Sequence, residues 1–399
     1  MSTAITSLDI PIADWFDPVE AMRDPYPQYQ QLRALGPVVY APAVGRVFIT
    51  THAAVSDAEH HPEIFSSYSE TNLTMMRAIG ARPMLRKDDP EHAQERKAIN
   101  PTLRPKAIKN IWSPKFEQTV EYWLQRLIDI GPDHADVNKD FAAPIASQNL
   151  IDLLGFPDTV DVTDMARWSI DFIAGTGNLL DDEEIWRRCD ASREEVDAIL
   201  DELIPRLRSN PDGSITSHLL EVGLPEDIVR ANVKLSISGG MNEPQHMISN
   251  MVWALSEHPE QRDRLLNGTA QWSAAFEETA RWQSPIGMVP REIAVNTEFY
   301  GVQLTKGTNV GLLLASANRD PEVFDHADDF DITRPSRGHL AFGSGVHLCA
   351  GRWVAKNAIA DHALPRLYER IPNLRLDAQR PAVWDGWVFR GLTDLPVTW

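Results

Sequence analysis

The stretch that most restricts how this chain folds is a glycine-rich segment leading to a cysteine, His-Leu-Ala-Phe-Gly-Ser-Gly-Val-His-Leu-Cys-Ala-Gly at 339–351. Gly343 and Gly345 permit backbone conformations closed to other residues, and they leave amides free to approach the sulfur of Cys349. We expect a helix to begin just after the cysteine. Amide donors and a helix N-terminus lower a thiol's pKa and keep it anionic. The segment therefore predicts a positioned thiolate that can ligate a metal.

Composition and charge narrow the class of protein. Two of the 399 residues are cysteines, so we expect no disulfide framework and a reducing, cytoplasmic setting, and we interpret Cys189 as a buried structural residue. The formal net charge of -19 opposes binding to nucleic acid or an anionic membrane. The N-terminus does not resemble a signal peptide, and the longest strongly apolar run, at 310–315, is too short to span a bilayer. Because no stretch resembles a linker, we expect a single domain over 1–399.

Hydrophobic spacing predicts a mainly α chain with a minor β part. Strands are expected at 38–40, at 46–50 and within 288–316. Helices are expected at 51–60, 272–283 and 352–370, and the chain is expected to be mainly helical from about 91 to 280. An irregular loop is expected at 66–86. The helical segment 226–257 is interrupted at Ser238-Gly239-Gly240, shortly before Pro244. Glycine and proline cost about 1 and about 3 kcal/mol in a helix interior. The interruption therefore predicts a kink or a ligand site.

The pattern Phe-Gly-x-Gly-x-His-x-Cys-x-Gly at 342–351 resembles the haem-binding signature of the cytochrome P450 family, and the resemblance covers nearly the whole chain. It implies the fold of that family, a helix-rich triangular prism with a minor β subdomain. It also implies a haem b cofactor (iron protoporphyrin IX), with Cys349 as the thiolate ligand and Phe342 and Gly343 beside the porphyrin. A haem thiolate directs electron density toward O–O cleavage. The resemblance thus implies a monooxygenase that uses O2.

Charged residues elsewhere resemble further elements of that family. Glu278 and Arg281 look like its Glu-x-x-Arg element, which with Arg334 would form a buried charge triad behind the cysteine, although an exposed helix pair is the alternative. Buried haem propionates need paired cations. The residues that resemble propionate ligands are His92, Arg96, Arg291, His347 and, less closely, His339. Taken singly, each could instead form a surface ion pair.

The interrupted helix departs from the family pattern. Where the family has an acid followed by threonine or serine, this chain has Asn242 followed by Glu243. We favour Glu243 as a source of protons, directly or through water, with Asn242 as hydrogen-bonding support, because a carboxyl beside an apolar haem face would have a raised pKa. The alternative is that Glu243 caps broken-helix amides or pairs with a cation. The departure also leaves open whether hydrogen peroxide replaces O2 and electrons.

The Glu-Pro step at 243–244 and the tail at 384–391 and 397–399 resemble the bacterial aromatic O-demethylases that act on guaiacol-type methoxyphenols. The implied reaction hydroxylates the methyl group of an aryl ether, and the resulting hemiacetal collapses to a phenol and formaldehyde. By position, the residues expected to line a small apolar pocket or its lids are Met75, Met76, Phe172, Ile173, Leu179, Leu235, Ser238, Gly239, Ile286, Gly287, Val289, Val388 and Phe389. Core packing is the alternative for each of them. No arginine or lysine is expected there besides the propionate ligands, which favours a neutral phenol or methoxyarene.

Electrons are expected from a separate ferredoxin or flavin/iron–sulfur reductase, because the sequence contains no recognisable domain of either kind. The residues that could form a basic patch for an acidic partner are Arg104, Lys106, Lys109, Arg352 and Lys356, although scattered solvated charges are an equal alternative. Three further hypotheses stay open. They are hydroxylation of another small apolar substrate such as a terpenoid, a peroxide-driven variant, and a non-catalytic haem-thiolate sensor.

Overall fold

The computed structural model describes residues 10–69, 73–335 and 338–399, and it divides into two compact units. The first unit consists of Met1–Ser69, Asn250–Cys349 and Ala382–Asp394, and the second of Glu70–Ser249, Ala350–Pro381 and Leu395–Trp399. None of the helices in the described ranges is both long and apolar enough to cross a membrane. The expectation of one domain over 1–399 stays a prediction.

In chain order the helices are α1 (Pro18–Arg23), α2 (Tyr26–Leu35), α3 (His52–His60), α4 (Thr74–Ile79), α5 (Glu91–Leu103), α6 (Pro105–Ala107), α7 (Ser113–Ile130), α8 (Ala143–Leu154), α9 (Val162–Thr176), α10 (Glu183–Ser209), α11 (Ile215–Glu221), α12 (Glu226–Gly240), α13 (Asn242–Glu257), α14 (Pro259–Leu266), α15 (Trp272–Trp282), α16 (Leu314–Ala317), α17 (Arg352–Lys356) and α18 (Leu364–Arg370). The strands are β1 (Val38–Ala41), β2 (Arg46–Ile49), β3 (Phe65–Ser66), β4 (Val289–Ile293), β5 (Thr297–Phe299), β6 (Val302–Leu304), β7 (Asn309–Leu312), β8 (Arg375–Leu376), β9 (Val383–Asp385), β10 (Gly391–Asp394) and β11 (Val397–Thr398). Short 3₁₀ turns occupy Pro42–Val44, Met84–Arg86 and Gly345–His347, and π-helical turns occupy Ile108–Trp112, Asn138–Ala142 and Asn357–Ala363.

A five-stranded sheet organises the first unit, with the strand order β1-β2-β7-β4-β3. β2 and β7 run parallel, and the other neighbouring pairs run antiparallel. Successive residues of a strand point to opposite faces. Val47 and Ile49 accordingly join one apolar cluster, whereas Phe48 between them joins another. Apolar side chains thus cover both faces of the sheet. This packing holds β4, and with it residues 283–288 that precede β4, in position.

The second unit is formed mainly by helices. α7 buries Phe116, Val120, Leu124 and Leu127, a three- and four-residue spacing that places them on one face. α9 packs against α4, α8, α10 and α12. The buried side chains of these helices merge into one large apolar cluster. The short pair β8 and β11 is antiparallel.

The long helical segment opens where the sequence predicted an interruption. α12 ends at Gly240 and α13 begins at Asn242. Pro244 carries no backbone N–H, so the carbonyl of Gly240 loses the donor that a continuous helix would supply four residues later. The break therefore follows from the sequence itself, and it places Asn242 and Glu243 in the first turn of α13.

The mainly α fold with a small β part is confirmed, and most predicted elements are found within a residue or two. The prediction of an irregular loop over 66–86 is wrong in part. Thr74–Ile79 form a helix and Met84–Arg86 a 3₁₀ turn, while 70–72 lie outside the described residues. A six-residue helix shows too little periodicity to be read from sequence, and its buried residues Ala78 and Ile79 are held by the neighbouring helices.

Candidate active site

Cys349 lies at the end of the glycine-rich loop, in the first unit. Its backbone N–H donates to the carbonyl of Phe342 at 2.9 Å, which closes the loop into a turn. Gly343 and Gly345 have φ values of 66° and 61°, in the region that favours glycine. The side chain of Cys349 is exposed and forms no disulfide, whereas Cys189 is buried. The loop thus presents one accessible thiol on a backbone whose shape the two glycines permit.

Glu59, at the end of α3, supports this loop. Its carboxylate accepts a hydrogen bond from Ser344 Oγ at 2.9 Å. A Cβ at Gly343 would stand 3.0 Å from that carboxylate, and a Cβ at Gly345 would stand 2.3 Å from the backbone carbonyl of Glu59. Burial raises the pKa of Glu59, and the positive charge of Arg291 opposes that rise. Sequence reasoning missed Glu59, whose only signal was an acid at helical spacing from the buried Val55.

Two of the predicted propionate ligands belong to the same unit. Arg291 lies in β4 and is 8% exposed, and it is close enough to Glu59 to affect its ionisation. His347 follows the glycines of the loop, and its Nε2 lies 2.9 Å from Ser67 Oγ. Glu59 therefore interacts with two parts of the first unit, the loop that carries His347 and Cys349 and the strand that carries Arg291.

The structure brings together Glu278, Arg281 and Arg334. Arg281 donates from Nε and a terminal nitrogen to the two carboxylate oxygens of Glu278 at 2.8 and 2.7 Å, and Arg334 Nε approaches the same carboxylate at 3.4 Å. Arg281 also donates to three backbone carbonyls between 2.7 and 2.9 Å. Glu278 and Arg281 are 5% and 2% exposed, so they are not the exposed helix pair of the alternative reading. The cluster ties the meander after α16 to α15.

Asn318 connects this cluster to the beginning of the cysteine loop. Its carbonyl accepts from Arg281, its side-chain oxygen accepts from the N–H of Leu340 at 2.6 Å, and its amide donates to Ser284 Oγ at 2.8 Å. All its polar groups are thus used, at a site with no exposure. No motif marked Asn318, because its partners lie far apart in the sequence.

His339, the fifth predicted propionate ligand, is held by protein partners at both ring nitrogens. Its Nε2 lies 2.8 Å from Glu277 Oε2, and its Nδ1 lies 3.3 Å from the backbone nitrogen of Ala341. Both ring nitrogens therefore have protein partners. The ring of the neighbouring Phe342 stacks on Phe276 at 5.9 Å between centroids, so this part of the loop is anchored on α15.

The segment after α15 contacts the C-terminal tail turn within the first unit. The N–H of Gly287 donates to the carbonyl of Val388 at 2.8 Å, and Ile286 bridges to Phe389. A Cβ at Gly287 would stand 1.9 Å from the carbonyl oxygen of Trp387. Only glycine allows this close approach. Ile286, Val289 and Val388 are half-buried, and Phe389 is 38% exposed.

Glu243 lies at the helix opening in the second unit. Its Oε2 is buried and has no hydrogen-bond partner among the described residues. Burial raises the pKa of the carboxyl to about 8. The side chain is therefore largely protonated at neutral pH, and no cation pairs with it in the described part of the chain. Beside it, Asn242 is half-buried.

His92 and Arg96, the remaining predicted propionate ligands, lie one helical turn apart on α5 and thus share a face. His92 is 3% exposed, and its Nδ1 lies 3.1 Å from Asp89 Oδ1. Such a partner orients the ring. Arg96 is half-buried.

The other predicted pocket residues lie on α4, α9 and α12. Phe172 is fully buried in the apolar cluster of the second unit, and Met75 and Leu235 pack against that cluster. A Cβ at Gly239 would meet no atom within 4 Å, so the helix faces open space there. The remaining members differ in exposure. Ser238 is buried, Met76 and Ile173 are half-buried, and Leu179 is 64% exposed.

Comparison with known proteins identifies the family. The model of the family described as Cytochrome P450 matches residues 272–360. The chain is 32% identical to Cytochrome P450 107B1 of Saccharopolyspora erythraea over 88% of each chain, and 30% identical to a steroid C26-monooxygenase of Mycobacterium tuberculosis over 94% of each. The crystal structure of P450BioI, in complex with an acyl carrier protein ligated to hexadec-9Z-enoic acid, is similar with a TM-score of 0.87 and 26% identity, covering 96% of this chain and 100% of that one.

The chain belongs to the cytochrome P450 family. It is a monooxygenase, and the cofactor of its class is a cysteine-ligated haem b. The residues present fit that group. They offer one accessible thiol in a glycine-shaped loop, with buried or half-buried imidazole and guanidinium side chains that suit two carboxylates.

Proposed function

We propose that this P450 removes the methyl group of a small, neutral methoxyarene of the guaiacol or syringol type. The observation that carries the proposal is the buried carboxyl of Glu243 at the opening between α12 and α13, whose Oε2 has no hydrogen-bond partner among the described residues. The Glu-Pro step at this place resembles the aromatic O-demethylases. Hydroxylation of the O-methyl carbon of the aryl ether gives a hemiacetal, whose C–O bond breaks to leave a phenol and formaldehyde.

In this proposal Cys349 is the iron ligand, because Cys189 is buried inside the second unit with a thiol whose pKa burial raises to about 11. His92, Arg96, Arg291 and His347 hold the propionates. When bound, the haem supplies activation of O2 and transfer of one oxygen atom to a C–H bond. Glu278, Arg281, Arg334 and Asn318 hold the cysteine loop in position from α15.

Glu243 serves as the proton-holding group of the site. A carboxyl whose pKa is about 8 carries its proton at neutral pH and can release it to a neighbouring acceptor. Its Oε2 has no partner that would compete for the proton in the described residues. Asn242 supports it as a hydrogen-bonding neighbour.

The ion pair of the buried Lys234 on α12 supports a neutral substrate. Lys234 is 2% exposed, and its Nζ lies 2.5 Å from Asp197 Oδ1. Its charge is therefore neutralised by the protein and does not select a carboxylate. Within the first unit, the half-buried Ile286, Val289 and Val388 offer apolar surface for a small ring.

The test is a spin-state screen of the haem-loaded ferric protein with methoxyphenols, methoxybenzoates and terpenes. We expect guaiacol- and syringol-type phenols to shift the Soret band to the high-spin position. Turnover should release formaldehyde in proportion to the demethylated phenol that is formed. Shifts with terpenes alone would overturn the substrate assignment while leaving the monooxygenase assignment intact.

A second candidate is hydroxylation of an alkyl C–H bond in another apolar substrate, including a terpenoid. It is favoured by the 30% identity to a relative that is a steroid C26-monooxygenase. A peroxide-driven variant would give product from hydrogen peroxide without reductant, and a non-catalytic sensor would give none with any donor. We further propose a separate ferredoxin or flavin/iron–sulfur reductase as electron donor, and a cytoplasmic location.

A further inference from the structure

A cavity of about 460 Å³ opens in the first unit, and its lining residues include none of those predicted to hold the haem or the substrate. Its walls include Tyr26, Trp253, Trp282 and Trp384. Trp253 stacks on Trp282 at 5.7 Å, and Trp384 meets Trp253 edge-on at 5.0 Å. The indole N–H groups of Trp253 and Trp384 make no hydrogen bond within the described ranges. The cavity therefore offers flat aromatic surface together with available donors, and its volume lies within the range of about 300–1,000 Å³ usual for small-molecule sites.

Charged side chains also line the cavity. Three arginines and two aspartates line it, in a chain whose net charge is -19. Arg319 places its guanidinium 3.6 Å over the ring of Tyr26 and pairs with Asp328 at 3.2 Å. Arg23 pairs with Glu20 at 3.0 Å, so Arg390 is the lining arginine for which the described residues provide no carboxylate partner.

Arg390 is the distinctive cation. It is 5% exposed, and three backbone carbonyls between 2.9 and 3.0 Å hold its terminal nitrogens. No carboxylate pairs with it among the described residues, and its Nε is buried without an acceptor there. A buried donor on a cation without a carboxylate partner is costly. An anion in the cavity, beside the guanidinium, would supply the counter-charge that the described residues do not provide.

We propose that this cavity is a binding site for a planar aromatic carboxylate. The ring would lie against the tryptophans, where stacked and edge-on contacts favour flat π-systems. The carboxylate would face Arg390, to which charge-assisted hydrogen bonds are roughly twice as strong as neutral ones. Trp384 and Arg390 belong to the tail that resembles the O-demethylase subgroup. Neither has a part in the haem or substrate site proposed above, so this inference does not depend on that function.

The experiment is calorimetric titration of the haem-loaded protein with naphthoate and with its uncharged methyl ester, while the Soret band is followed in parallel. We expect naphthoate to bind at one site without a Soret shift, and at least ten-fold more tightly than the ester. Trp384→Leu should weaken naphthoate binding at least ten-fold. The matched control is Trp353→Leu, which removes an exposed indole on α17 outside the cavity and should leave the affinity unchanged.

Three results would each overturn the proposal: no heat of naphthoate binding, equal affinity for the acid and the ester, or naphthoate binding that always shifts the Soret band. Equal weakening by the two tryptophan substitutions would do the same. If Trp384→Leu fails to fold, the comparison of acid with ester on the unaltered protein still decides, because it tests the charge that Arg390 supplies.

Discussion

At the scale of single residues, the two cysteines show how surroundings divide one chemical group into two roles. Cys189 is buried in α10, where the thiol stays protonated and a Cβ at Gly175 would stand 2.5 Å from its sulfur. Cys349 is accessible at the end of a loop that glycines shape. Packing thus buries one cysteine and leaves the other accessible.

We predict that Cys349→Ser abolishes the strongly red-shifted Soret band of the reduced, CO-bound protein, because a hydroxyl is not a thiolate ligand. Absorbance spectroscopy checks this directly. Cys189→Ala is the control and should keep the band. Survival of the band in the serine variant would remove Cys349 as the ligand.

Glu243 gives a second prediction at this scale, a dependence of stability on pH. Its pKa is raised to about 8 in the folded chain from 4.5. Between these values the unfolded chain has lost the proton and the folded chain keeps it, so the free energy of unfolding falls as pH rises through this window. Glu243→Gln should flatten that slope in urea titrations at pH 5 to 8 and should uncouple electron use from product. Glu257→Gln, exposed at the end of the same helix, is the control and should change neither. Unchanged slope and coupling in the glutamine variant would return Glu243 to a structural role.

At the scale of elements, the polar cluster on α15 illustrates how distant segments are joined. Glu278 is shared by Arg281 and Arg334, and Asn318 extends the network to the cysteine loop. Buried charges of this kind are costly unless every partner is present. The cluster is therefore sensitive to loss of a single member.

We expect Glu278→Gln to lower the free energy of unfolding by about 3–5 kcal/mol, because it leaves two guanidinium groups less compensated. Thermal unfolding and haem retention measure the effect. Glu184→Gln breaks an exposed pair with Arg187 on α10 and should leave the midpoint unchanged. Similar midpoints for the two variants would show that the cluster is not a structural support.

A glycine between two elements provides the next prediction. Gly287→Ala places a Cβ 1.9 Å from the carbonyl oxygen of Trp387, so the tail turn has to move away from the segment after α15. We expect lower thermal stability and weaker spin-state shifts with the best substrate. Gly213→Ala is the matched control, since its Cβ would make only an ordinary 3.7 Å contact with Ile111. If both variants bind and unfold alike, the close approach at Gly287 has no role.

At the scale of the whole molecule, charge is the property that concerns a redox partner. The chain carries a net charge of -19, yet Arg104, Lys106 and Lys109 are exposed together between α5 and the start of α7. An acidic electron donor is repelled by the total charge, so a local basic surface would govern its encounter.

We predict that Lys106→Glu raises the KM for an acidic ferredoxin several-fold, with little change in kcat at saturation, and that added salt narrows the difference. Lys306→Glu makes the same charge change at an exposed turn between β6 and β7 and should have no such effect. Equal effects of the two substitutions would favour scattered solvated charges over a docking patch.

The sequence by itself determined the family, the cysteine loop and the helix break, because each depends on residues close together in the chain. Glycines and proline impose their backbone restrictions locally, so 343–349 and 239–244 could be interpreted without a fold. The helix at 74–79 could not, because so short an element is held by its neighbours.

Only the tertiary structure decided which side chains complete the sites. Glu59 reaches Ser344 across 285 positions of the chain, and Asn318 joins Arg281 to Leu340. The cavity around Trp253 and Arg390 likewise gathers residues from five separate stretches of the chain. Periodicity does not encode such meetings, and burial raises the pKa of Glu243 only once the surrounding helices exclude water from it.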